Sequence, residues 1–155
     1  MIISFDLDDT LIPGIRRFPT EPGNLWHRLF SKEKIRAGTI RLMKVLRQND
    51  YNVCVYTTSY RSPFYVRKLF FSYGITIDRV INKRIHDKVL GARGGQISKY
   101  PPAFDIDIHV DDAPGVGIEG ERHHFNTIII AENDPDWEAT ILNRLGLSEN
   151  VVKQH

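Results

Sequence analysis

Cysteine is almost absent: Cys54 is the only one in 155 residues. No intrachain disulfide can form, so the fold must rest on its apolar core, and a reducing cytoplasm is the expected setting. Long hydrophobic runs are missing as well. The longest apolar stretches, such as Asn126 to Ala131, are far too short to cross a bilayer, so no membrane is expected. Nor does the chain open like a secretory leader, because Met1 to Phe5 has no basic segment before it and runs straight into Asp6, Asp8 and Asp9. Internal repeats and low-complexity tracts are absent too, which excludes solenoid and linker-like chains.

What is present is an ordinary globular mix, 41% hydrophobic and 26% charged, at a length that fits one domain. The net charge of +2 is unevenly spread. Residues 1–100 carry 18 Lys and Arg against 8 Asp and Glu, whereas residues 101–155 carry 3 against 11. The two parts attract each other within one compact fold, and the basic part suits an anionic ligand. Its cations are scattered rather than gathered into a nucleic-acid-binding arm.

Short apolar runs alternate with longer helical patterns. Strands are expected at Ile2–Phe5, Asn52–Thr57, Ile75–Ile81, Asp105–Val110 and Thr127–Ala131. Helices are expected from Ser31 to Asn49, with Ser31 as N-cap, and from Ser62 to Tyr73, with Pro63 in the first turn and Gly74 as the stop. A closing helix runs from Pro135 to Leu145 between a capping Asp134 and a terminating Gly146. This rhythm predicts a three-layer α/β/α, Rossmann-like domain spanning 1–155 around a mostly parallel five-stranded sheet. Two stretches break the pattern. Residues 12–30 hold Pro13, Gly14, Pro19, Pro22 and Gly23 and read as a loop or hairpin flap. Residues 83–104, with Gly91, Gly94, Gly95, Pro101 and Pro102, read as an irregular loop.

The chemistry gathers at two strand ends. The first strand runs into Asp6-Leu-Asp8-Asp9-Thr10, and the fourth into Asp111-Asp112. Open α/β sheets bind ligands beyond the carboxyl ends of their strands. Asp6 and Asp8, two apart in extended chain, point to one side, and carboxylates this close need a cation between them. A hard divalent ion such as Mg²⁺ prefers such oxygen ligands. If the first and fourth strands are neighbours, both clusters converge on one ion. Taken singly, either cluster could be turn chemistry, and Asp112 could cap the helix that Pro114 begins.

An apolar strand followed by Asp-x-Asp-x-Thr resembles the first motif of the haloacid dehalogenase-like phosphohydrolases. Three further motifs of that family find matches in the family's order. Thr57 ends the second strand, with Thr58 and Ser59 as alternative registers. Lys99 lies upstream of the last acidic motif, with Lys83, Arg84 and Lys88 as competitors. Asp111-Asp112 forms the acidic pair. The resemblance implies a Mg²⁺-dependent phosphatase acting through an aspartyl phosphate. Asp6 would be the nucleophile and Asp8 the general acid, then base. Thr57 (or Thr58) and Lys99 would bind the phosphoryl group. Asp6, the Asp8 main-chain carbonyl, Asp111 and Asp112 would hold the ion. Thr10 orders the loop, and Arg61 either helps bind an anion or sits on the surface. Larger members carry a cap domain; neither insertion here is long enough for one, so an open site is expected. The implied partner is a phosphorylated substrate, small or macromolecular. A nucleic acid has no motif behind it, and the site is open unless a second copy of the chain covers it.

Other signals are weaker. Gly115-Val-Gly117-Ile-Glu-Gly120 spells a dinucleotide fingerprint with Glu132 or Asp134 as ribose ligand, but Asp111 and Asp112 would repel a pyrophosphate. A surface helix is the plainer reading. His123-His124 lacks metal-ligand spacing. Trp26 and Trp137 read as packing residues, and Phe64, Tyr65, Phe70, Phe71 and Tyr73 as a face packed on the sheet. A receiver domain shares the acidic pocket but places its phosphoacceptor on the third strand, where Val80-Ile81-Asn82 offers no Asp. A catalytically quiet relative that binds phosphate or a protein remains the alternative.

Overall fold

Alternation within the strands decides which residues face which layer. In the computed structural model, which describes residues 1–15 and 18–147, strand β1 (Ile2–Phe5) turns Ile3 and Phe5 to one face and Ile2 and Ser4 to the other. The other strands are β2 (Asn52–Tyr56), β3 (Arg79–Ile81), β4 (Ile108–Asp111) and β5 (Asn126–Ile129). All neighbouring pairs are parallel, in the order β3-β2-β1-β4-β5. The chain therefore builds outward from β1 through β2 to β3, then crosses back to place β4 on the opposite side of β1. The seam between β1 and β4 is the topological switch point, where such sheets open a crevice for ligands.

The first face of the sheet carries the main core. Ile3, Phe5, Val53, Val55, Val80, Val110 and Ile128 meet α2 (Thr39–Gln48) through Leu42, Met43 and Leu46. On the same face lie α3 (Pro63–Phe71) with Val66, Leu69 and Phe70, and α6 (Trp137–Arg144) with Trp137, Ile141 and Leu142. The second face is smaller and more polar. Ser4, Tyr56 and His109 lie there beside Ile81, Phe104 and Ile106, covered by α4 (Lys83–Leu90) and α5 (Pro114–His123). No helix among the described residues is long and apolar enough to cross a membrane.

Several boundaries depart from the sequence expectations, each for a local reason. The helix expected from Ser31 starts at Thr39. Residues 33–37 spend their backbone bonds on the preceding loop (Arg36 N on Leu11 O at 2.6 Å, Ala37 N on Pro19 O at 2.8 Å), and Gly38 turns the chain at φ 92°. Ser31 instead ends a short helix, α1 (Leu25–Phe30), inside the stretch read as loop or hairpin; Asn24 caps it at His27 N, 2.7 Å. Residues 83–104 are likewise not irregular. Asn82 caps α4 at Ile85 N, 3.0 Å, and two 3₁₀ turns follow at Gly91–Gly95 and Pro101–Phe104. The helix escaped notice because the residue it buries is His86, not an aliphatic one. Ile75 and Ile77 are buried but precede the ladder, so β3 begins only at Arg79. Asp134 caps the turn before α6, accepting from Asp136 N at 2.9 Å and Thr140 Oγ1 at 2.8 Å. Phe70 and Tyr73 are buried as expected, but Phe64 and Phe71 are about three-quarters exposed, at 77% and 74%.

The Gly-x-Gly-x-x-Gly segment lies within α5, where two of its glycines, Gly117 and Gly120, serve packing. A Cβ on Gly120 would stand 2.9 Å from Phe125 O and 2.9 Å from Thr127 Cγ2, and one on Gly117 would stand 3.1 Å from Ile129 Cγ1. The helix needs these glycines to lie against β5, so the dinucleotide reading has no structural support.

Candidate active site

β1 and β4 are hydrogen-bonded neighbours in register Phe5↔Val110, so the residues after Phe5 and Val110 leave the sheet side by side. Asp6 N donates to Val110 O at 2.8 Å, which starts its side chain at the seam. Asp6, Asp111 and Asp112 offer oxygens that all lie within 4.8 Å of one another, the first two buried and the third half-buried. Thr10 Oγ1 donates to Asp112 Oδ1 at 3.0 Å, and Ala113 N to Asp111 Oδ1 at 2.9 Å. Thr10 thus ties the loop to Asp112, and the N-cap position of α5 is Ala113, not Asp112.

Lys99 closes the cluster from below. Its Nζ is 2.7 Å from Asp6 Oδ1 and 3.1 Å from Asp111 Oδ2, and the residue is only 3% exposed. Glu119 on α5 holds its backbone, accepting from Ser98 N at 3.0 Å, Ser98 Oγ at 2.6 Å and Lys99 N at 3.3 Å. Lys83 is committed elsewhere, to Asp87 Oδ1 at 2.7 Å and Gly94 O at 3.0 Å, while Arg84 and Lys88 are exposed. Thr57 lies just past β2, 1% exposed; its Oγ1 accepts from Ser59 N at 3.1 Å. Thr58 is exposed, and Ser59 Oγ is buried without a partner.

One site feature was not foreseen, and a second, Arg61, was read only as an anion binder or a surface residue. Ser4 and His109 sit opposite each other in the sheet, and His109 Nδ1 lies 2.7 Å from Ser4 Oγ while its Nε2 lies 3.0 Å from Asp111 Oδ2. Burial pushes the imidazole down to about 4, so it is neutral at pH 7. An ionised Asp111 can only accept, so Nε2 carries the proton and Nδ1 accepts from Ser4. The spacing Ile108-His109-Val110-Asp111 already placed His109 and Asp111 on one face. The second feature is Arg61. Its Nη1 contacts both oxygens of Asp8, at 3.0 and 2.9 Å, and its Nη2 contacts Glu33 Oε1 at 2.8 Å. Asp8 therefore turns its side chain to Arg61, and the carboxylate trio does not include it. Glu33 left no signal in the sequence, since residues 31–37 read as helix.

Asp6 and Asp111 share one buried ammonium, that of Lys99. Burial pushes Asp6 up to about 7, against the pull of Lys99 and with the push of Asp111. For Asp111, burial is outweighed by the His109 hydrogen bond and by Lys99, which hold its carboxyl below the usual range. Burial would lower Lys99, but Asp6 and Asp111 raise it, so it stays charged. The trio's donors are hard oxygens, which fits a hard divalent cation.

The sequence matches no protein-family model and no curated protein. Among solved structures, a chain of the Pnkp1/Rnl/Hen1 RNA repair complex superposes on this one with a TM-score of 0.52 at 16% identity. The match covers 86% of this chain and 43% of that one, so this protein spans less than half of its neighbour's length. The likeness establishes a shared α/β architecture.

Proposed function

We propose that the protein is a Mg²⁺-dependent phosphomonoesterase of the haloacid dehalogenase-like kind, formed as a single domain over 1–155 without a full cap; residues 148–155 lie outside the described part. The observation that carries the reading is the buried cluster of Asp6, Asp111 and Lys99 at the switch point, with Asp112 beside it. Asp6 attacks phosphorus in line, forming an aspartyl phosphate and expelling the leaving oxygen. Asp8 gives that oxygen its proton and later takes one from the water that hydrolyses the acyl phosphate. Lys99 offsets the charge shared by Asp6 and the equatorial oxygens, and Thr57 donates a hydrogen bond to one of them. Asp6, the Asp8 carbonyl, Asp111 and Asp112 would hold Mg²⁺, which supplies charge neutralisation and orientation of the phosphoryl group. His109 and Glu119 act through others: one aims Asp111, the other fixes the Lys99 loop.

The test is hydrolysis of an aryl phosphate with Mg²⁺ and with a chelator. Turnover that vanishes with the chelator and returns with Mg²⁺ is the expected result; turnover indifferent to the ion sinks the reading. The structural neighbour belongs to an RNA repair complex, so a phosphorylated RNA end belongs in the substrate panel that follows.

The ion should also compete with a proton on Asp6. Below about pH 7 the apparent Mg²⁺ affinity is expected to fall about tenfold per pH unit, because the ligand must ionise first. Calorimetry at pH 6 in buffers of different ionisation enthalpy should then register close to one proton released per ion, and almost none at about pH 8.5. A pH-independent affinity across that range would remove Asp6 from the ligand set.

A further inference from the structure

We propose that Arg61 is a second anion subsite, built to receive a negatively charged group of the substrate that lies next to the scissile phosphate on its leaving-group side. The inference rests on the phosphomonoesterase reading for the position of that phosphate. Arg61 is mounted at two points. Its backbone carbonyl accepts from Asn82 Nδ2 at 3.1 Å, and Asn82 is itself the N-cap of α4. Its Nη2 is anchored on Glu33 Oε1 at 2.8 Å. Glu33 is in turn held by Tyr65 Oη on α3, which donates to Oε2 at 2.5 Å. One end of the guanidinium is thus fixed by protein, and the other end, Nη1, faces Asp8.

Nη1 is shared between the two Asp8 oxygens, at 3.0 and 2.9 Å. A carboxylate thus accepts from one guanidinium nitrogen, a place that an oxygen of an incoming phosphate can take. The pair is partly open to solvent, with side-chain exposures of 27% for Arg61 and 39% for Asp8, so an incoming anion can reach it. The buried Lys99, by contrast, lies on the Asp6 side of the site, 3% exposed.

The contact has a consequence for Asp8. Both Asp8 oxygens face Arg61, so Asp8 must turn away from Arg61 before it can reach a leaving oxygen. A substrate whose leaving group carries its own anion supplies a competing partner for Nη1 and frees Asp8 in the same step. A substrate without one leaves Arg61 on Asp8. The favoured class is accordingly a phosphomonoester with a second phosphate or phosphodiester one linkage away. That chemistry is shared by small bisphosphates and by phosphorylated ends of a polynucleotide.

The experiment compares kcat/KM for matched pairs on the full chain: 1,3-propanediol bisphosphate against propyl phosphate, and a 5′-phosphorylated dinucleotide against the nucleoside 5′-monophosphate. In wild type the member with the second anion should be favoured about tenfold or more. Arg61→Ala should bring that ratio to within about twofold of unity, and Arg61→Lys, which keeps the charge but loses the fork, should fall between. Glu33→Gln leaves Arg61 in place but weakens its anchor, and should lower the ratio as well; it serves if Arg61→Ala fails to fold. Preference in the first pair alone indicates a small bisphosphate, and in the second alone a polynucleotide end. Equal rates within both pairs in wild type overturn the proposal. So does a preference that survives Arg61→Ala, or an equal loss on both members, which would place Arg61 on the scissile phosphoryl group instead. If no substrate turns over, the phosphatase reading has failed separately. The same pairs are then titrated calorimetrically into Asp6→Asn and into Asp6→Asn/Arg61→Ala, where tighter binding of the doubly anionic member, lost with Arg61, still decides the subsite.

Discussion

Asp6→Asn is expected to lower aryl phosphate turnover by about 10⁴-fold or more, because removing a covalent nucleophile leaves only binding and charge stabilisation. The fold should survive, and the reason lies in the same cluster. Asp6 is a buried carboxyl raised to about 7, so its ionised form is disfavoured in the folded state. A group shifted upward contributes stability that is complete below its ordinary value and is lost as pH rises through the folded one. Without metal, wild type should therefore lose stability between about pH 4 and about pH 7, and the variant should lack that component. At about pH 8 with chelator, Asp6→Asn should melt no lower than wild type, and Lys99 keeps Asp111 as its partner. Purified Asp6→Asn that still turns over aryl phosphate would overturn the nucleophile assignment. A variant that melts well below wild type at both pH values would show that the carboxylate holds the fold together.

Lys99→Met carries the second large effect, and it separates stability from catalysis. Methionine fills the buried volume but leaves Asp6 and Asp111 facing each other with no cation, beside Asp112. Breaking a buried pair on one side costs about 3–5 kcal/mol, so urea melts in chelator near neutral pH should shift by that amount. Saturating Mg²⁺ should recover more stability in this variant than it adds to wild type, because the ion replaces the missing charge. Activity should not recover: turnover in saturating Mg²⁺ is expected about 10²- to 10³-fold below wild type, the cost of losing a preorganised positive donor at the phosphoryl group. Lys83→Met is the control, since among the described residues Lys83 pairs with Asp87 and Gly94, and it should keep its aryl phosphate turnover. If Lys99→Met and Lys83→Met behave alike, the lysine assignment is wrong.

Much of this architecture was legible beforehand where the signal is local. Short apolar runs, buried almost end to end, marked β1 and β2, and Pro63 after Ser62 marked the start of α3, where Ser62 Oγ accepts from Tyr65 N at 3.1 Å. Gly146, at φ 71°, stands just past the end of α6 as expected. The losses were also local in cause. α4 lacked an aliphatic stripe, and the start of α2 was set by where residues 33–37 found backbone partners, which no periodicity records.

By itself the sequence determined that acidic clusters would end two strands of an α/β sheet, because side-chain period and strand length are properties of consecutive residues. It also determined that the chain has one lysine twelve residues before Asp111, but not where that lysine reaches. Only the tertiary structure decided that β4 lies against β1, which brings Asp6 and Asp111 onto one ammonium. Only the tertiary structure turned Asp8 to Arg61 and brought Glu33 and Tyr65 behind it, from three separate stretches of chain. The physical reason is the same in both cases. Strands of similar apolar character can pair in several orders, and the choice is made by how all the layers pack together, so contacts across tens of residues leave no periodic trace in the chain.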